Sequence, residues 1–71
     1  MMKPVSGLQF VHAHLMCQDA LASGENRPAL CQVLRVGEGF VWYEVLAADG
    51  TPIGREWCGV AHFSDICAGA A

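Results

Sequence analysis

The stretch FVWYEVLAADGTPIGREW, residues 40–57, decides how this chain is read. Its two halves are rich in aromatic and β-branched residues and flank Asp49-Gly50, the strongest hairpin signal in the sequence. The spacing predicts a strand over 40–46, a type I′ turn at Asp49-Gly50 and a strand over about 52–58. Pro52 has no amide hydrogen to donate, which suits an edge strand. With Asp49 and Gly50 as the two central turn residues, the facing positions are fixed: Leu46 opposite Ile53, Glu44 opposite Arg55, Trp42 opposite Trp57. An apolar pair, an ion pair and an aromatic pair then share one face, contacts that stabilise a hairpin by roughly 0.2–1 kcal/mol each.

Working upstream, residues 29–36 read as a further β-branched and Leu-rich strand, and Gly37-Glu38-Gly39 offers a tight turn with Gly-X suited to type II′. Simple alternation from that turn sorts the side chains. One face collects Leu30, Leu34, Val36, Val41, Tyr43 and Val45; the other collects Cys31, Val33, Arg35, Phe40, Trp42, Glu44, Leu46, Ile53, Arg55 and Trp57. Before the strands, Ser6 and Gln9 form a capping box, and Val5 and Phe10 occupy the staple positions of a helix over about 7–23 that ends at Gly24. Leu8, Val11, Leu15 and Ala22 make its apolar stripe. Residues 8–16 also alternate in a way a strand could use, but the capping pattern and the alanines that follow favour helix.

After Cys58-Gly59, residues 60–67 read as a short helix or turn, and residues 1–5 and 68–71 as flexible ends. The expectation is therefore a single α+β domain over 1–71, with one N-terminal helix packed on the aliphatic face of a three-stranded antiparallel meander (αβββ). Were the C-terminal segment a strand, the alternative would be an SH3-like small barrel.

Composition narrows function. Seventy-one residues bury little, and a core of this size supplies on the order of 3–5 kcal/mol. With 54% hydrophobic and 15% charged residues, the chain has more core-forming side chains than its interior can hold, which points to a homodimer or a protein partner. A net charge of −3 with four basic residues lacks the cationic stripe of a nucleic-acid binder. Residues 1–16 are interrupted by Gln9, His12 and His14, so no signal or membrane segment is expected there and the expected location is cytoplasmic. Cys17, Cys31, Cys58 and Cys67 form no C-x-x-C pair and read as reduced, mostly buried thiols.

Chemistry-bearing patterns are sparse. His14 and Cys17 lie three residues apart and Cys58 and His62 four apart, an arithmetic Cys2His2 set whose spacing does not match zinc knuckles. Cys58 and His62 could on paper form a nucleophile pair, but this chain length leaves little room for a pocket and an orienting third group. Gly37-Glu38-Gly39 lies between strands, so it is no phosphate loop. No enzyme, cofactor or metal is expected. What remains is a face of Arg35, Phe40, Trp42, Ile53, Arg55 and Trp57, a composition typical of interface centres. The expected function is non-catalytic protein recognition, as by a small inhibitor or adaptor such as a mobile-element protein acting on a larger host complex. Two alternatives use the same residues: a single-stranded nucleic-acid binder stacking bases on the rings, and a small homodimeric structural subunit. A third possibility is plain packing, with the rings buried beneath Val60, Phe63 and Ile66.

Overall fold

Gly7 has a φ of +88°, a left-handed backbone that does not continue into a right-handed helix. In the computed structural model, which describes residues 3–71, the segment after it is strand β1 (Gln9–Met16), so the helix expected over 7–23 is replaced by a strand and a short helix, α1 (Gln18–Ala22). The capping signal was spent elsewhere: Ser6 Oγ donates to the Leu34 carbonyl (2.9 Å) instead of capping. Gly7 N donates to Val33 O, and Val33 N donates to Leu8 O. Tertiary pairing thus satisfies the backbone groups that a helix would have used internally. The expected stop at Gly24 is found, with φ +81° and paired bonds from Gly24 N to Leu21 O and Glu25 N to Ala20 O, a Schellman closure.

Strands β2 (Pro28–Val36), β3 (Phe40–Leu46) and β4 (Pro52–Gly59) fall where the sequence places them. The chain then makes a 3₁₀ turn (Val60–His62) and a one-turn helix α2 (Phe63–Ile66), where a short helix or turn is expected, and a fifth strand, β5 (Cys67–Ala70), where a flexible end is expected over 68–71. The sheet is antiparallel with order β4-β3-β2-β1-β5. A helix on a three-stranded meander is therefore not the architecture. The C-terminal strand pairs with β1, but β4 and β5 are the two outer edges with no ladder between them, so the sheet does not close into a barrel.

Both hairpins differ in turn geometry from simple expectation. In the second, positive φ occurs at Gly50 alone, whereas type I′ needs it at Asp49 too. Ala47 N donates to Thr51 O and Gly50 N to Ala47 O, so the loop has three residues, with Gly50 taking the left-handed position. The register is as expected for Trp42–Trp57 and Glu44–Arg55. It slips at Ile53, leaving Leu46 opposite Pro52. In the first hairpin, Glu38 and Gly39 are central and positive φ falls on Gly39, the type II position rather than II′.

A bulge at Leu34, between the Val33–Tyr43 and Arg35–Trp42 pairs, corrects the face assignment. One extra residue there reverses the parity of everything N-terminal to it. Cys31 and Val33 consequently join Val41, Tyr43 and Val45 on the inner face, while Leu30 turns outward. Phe10 from β1 and Phe63 from α2 complete this core. Phe63 meets Phe10 edge-on at 5.0 Å between ring centroids, and Phe10 meets Tyr43 at 5.5 Å. The connection from β4 is pinned by Val60 N donating to Gly39 O (2.9 Å), which steers the chain across the end of the sheet onto its inner side.

Candidate functional site

Four strands, β1 to β4, carry the outer face in rows. The first row runs Arg35 (β2), Trp42 (β3), Trp57 (β4), all facing one another in register. The Arg35 guanidinium lies over the Trp42 ring, 4.5 Å from its centroid. Phe40 bridges the two tryptophans, 6.0 Å from Trp42 and 5.4 Å edge-on to Trp57. A polar row follows: Gln9, Gln32, Glu44 and Arg55, with Gln9 Nε2 donating to Gln32 Oε1 and Arg55 Nε to Glu44 Oε1, both at 3.4 Å. An aliphatic row, Val11, Leu30 and Leu46, closes the face at its far end.

The C-terminal segment decides whether this face is open. Phe63 is 1% exposed and packs on Phe10 on the inner side, so it does not cover the tryptophans. Trp57 is 62% exposed and Phe40 43% exposed. Burial of the rings beneath Val60, Phe63 and Ile66 is thereby overturned: these residues belong to the other face or to the rim. Of the six residues expected to form the site, Arg35, Phe40, Trp42 and Trp57 make one cluster. Arg55 stands beside them, its side chain 81% exposed and 3.4 Å from the Glu44 carboxylate. Ile53 is set apart by the bulge and lines a groove with Leu15 and Met16.

The cation–π contact of Arg35 is about 0.5–1 kcal/mol at an exposed site. Its larger consequence is geometric, because among the described residues Arg35 has no carboxylate partner and keeps its N–H groups for an incoming acceptor. Gly37 sets the ring position. A Cβ there would lie 2.9 Å from Trp42 Cζ3 and 3.3 Å from Cη2, so Gly37→Ala must displace the indole. Its φ is not positive, so the backbone tolerates alanine. The expected result is an altered near-ultraviolet circular dichroism spectrum from moved tryptophans, with the far-ultraviolet spectrum of the sheet retained.

Among the described residues no three His, Cys, Asp or Glu side chains are grouped to hold a metal ion, and His14, Cys17, Cys58 and His62 do not converge. His62 Nδ1 instead faces Asp65 Oδ2 at 3.8 Å, and burial raises the Cys58 thiol pKa, away from the thiolate form. None of the four cysteines is in a disulfide. Burial pushes the Cys31 thiol up to about 12, which leaves it an inert core side chain.

Sequence reasoning missed His12, which it took only as a polar interruption of residues 1–16. The imidazole is 5% exposed and sits in the inner face. Its Nδ1 accepts from the backbone N–H of His14 (3.0 Å) and of Leu15 (3.1 Å), and its Nε2 lies 3.4 Å from the Tyr43 hydroxyl. An Nδ1 that accepts twice carries no proton, so the neutral Nε2–H tautomer is required. Burial first, then the neighbouring His14, lowers the His12 pKa, with Glu56 opposing. The signal was alternation: read as a strand, Phe10 and His12 share the inward face.

No helix among the described residues is long and apolar enough to cross a membrane. Comparison with protein-family models, with curated proteins and with solved structures finds no match to this chain.

Proposed function

We propose that this chain is a non-catalytic protein-recognition module, and that Trp57, Phe40, Trp42 and Arg35 form the centre of its binding face, with Arg55 at the rim. The observation that carries the reading is the closure of the C-terminal segment over the inner face, which leaves Trp57, Phe40 and two arginines exposed on the outer one, with Trp42 half-buried among them. Trp, Tyr and Arg are the residues in which binding energy concentrates, and clustered rings exclude water from the centre of a contact. A domain with one such face suits an inhibitor or adaptor that docks on a larger assembly. Single-stranded nucleic acid is the weaker reading, since the face offers two arginines and Glu44 offsets one of them.

A photo-crosslinking side chain introduced at position 57 in the cells of origin tests this. The expected products include, beside any self-crosslinked dimer, a discrete adduct with another polypeptide that differs from that dimer in mass. It should be missing when the same group replaces Asp65, on α2, and lost on adding Phe40→Ala. Once that polypeptide is purified, Trp42→Ala should weaken binding by about 2 kcal/mol or more, about 30-fold. Equal crosslinking at both positions, or salt-dependent binding of short single-stranded oligonucleotides to the purified chain, would count against the reading.

A further inference from the structure

Strand β4 is exposed along its length: it is an outer edge of the sheet, and six of its eight residues are exposed. Edge strands present unpaired backbone N–H and C=O groups, and proteins usually cover or interrupt them. Here the interruptions, Pro52 and the bulge at Ile53, lie at one end. The connection after Gly59 turns inward to Gly39, so neither α2 nor the 3₁₀ turn crosses the free edge. Residues 55–59 remain as a regular, open strand.

We propose that this edge is completed by β4 of a second copy, paired antiparallel about a twofold axis through Trp57. Antiparallel neighbours keep their faces, so the axis must pass through a residue of β4 and each choice fixes every facing pair. An axis at Gly54 puts Arg55 opposite the bulged position and Glu56 opposite Pro52. An axis at Arg55 sets two arginines against each other, and one at Glu56 sets two glutamates against each other, arrangements that destabilise a sheet. An axis at Cys58 shortens the overlap, since the strand ends at Gly59. Only the axis at Trp57 pairs the whole of 55–59 with no like charges opposed: Trp57 faces the partner's Trp57, Glu56 faces the partner's Cys58, and Arg55 faces the partner's Gly59.

The same axis places Arg55 beside the partner's Phe40, because Phe40 and Gly59 face each other within each chain. A row of four indoles, Trp42 and Trp57 of each copy, then crosses a ten-stranded sheet and ends at an Arg35 on either side. Isologous contacts of this kind close on themselves and do not propagate. The inference extends the function proposed above by joining two recognition faces into one, yet the two fail separately, since a monomer would keep its own outer face.

Light scattering during size-exclusion chromatography, from micromolar to millimolar chain, is the test. The expected mass rises to twice that of the chain. Trp57→Lys and Trp57→Glu should each remain folded, as judged by far-ultraviolet circular dichroism, and each be monomeric alone. An equimolar mixture of the two should regain the doubled mass, because opposite charges then face each other at the axis. Wild-type protein that keeps the monomer mass at millimolar concentration overturns the proposal. So does a Trp57→Glu variant that dimerises more tightly than wild type, since that requires the acidic side chain to face the partner's Arg55.

Discussion

Phe63→Ala is expected to unfold the domain at room temperature. The ring is 1% exposed, lies edge-on to Phe10 and is the largest side chain that the C-terminal segment places against the sheet. Truncating a buried phenylalanine costs about 3–5 kcal/mol in lost burial and residual cavity. A core of this size supplies about the same amount in total, so little margin remains. Thermal unfolding followed by circular dichroism should show a broad or missing transition for Phe63→Ala. Trp57→Ala, on the exposed face, should stay within about 1 kcal/mol of wild type. The reverse order of effects would mean that the tryptophan face is the core.

Acidification should weaken the fold through His12. Its folded-state pKa is lowered by burial, so the unfolded chain binds a proton more readily than the folded one. The stabilisation is fully present above the unfolded value of about 6.5 and is lost as pH falls below it. Within that window each bound proton corresponds to up to about 1.4 kcal/mol per pH unit. The physical event is specific: a proton on Nδ1 would point at the N–H groups of His14 and Leu15, leaving two donors without an acceptor. The groups around the ring are His14, Tyr43 and Glu56, and the Tyr43 phenol, pushed up to about 12 chiefly by burial, stays neutral throughout. Midpoints of thermal unfolding measured between about pH 7.5 and about pH 5.5 should fall with pH in wild type. A His12→Gln variant should start less stable and show a flatter dependence. Equal slopes would remove His12 from the account.

The legible part of this fold was the part written in local pairing. Residues 40–57 fixed the β3–β4 register at Trp42–Trp57 and Glu44–Arg55, because complementary side chains recur at the spacing that a short turn imposes. Three features were not legible, each for a physical reason. Ser6 and Gln9 have the residue types of a helix cap, but Ser6 reaches Leu34 on a distant strand, and a long-range hydrogen bond leaves no trace in local spacing. The bulge at Leu34 reverses the parity of β2, and nothing in a run of apolar residues marks where one extra residue is inserted. Strand β5 is built from Cys67, Ala68, Gly69 and Ala70, small residues of low strand propensity that pair because β1 offers an open edge. Four of the six candidate residues share one face despite these errors. Arg35 lies on the turn side of the bulge, so it kept its face with Phe40, Trp42 and Trp57, while Ile53 is itself the extra residue of a second bulge and was lost from the cluster.

The central claim is that the C-terminal segment closes the inner face and leaves the tryptophan face open. A nuclear Overhauser spectrum of the ring protons tests it most directly. The account predicts cross-peaks from the Phe63 ring to Phe10, from Phe40 to Trp42 and Trp57, and none from Phe63 or Ile66 to either indole. Cross-peaks joining Phe63 or Ile66 to Trp42 or Trp57 would place the segment on the opposite side of the sheet and bury the proposed binding face.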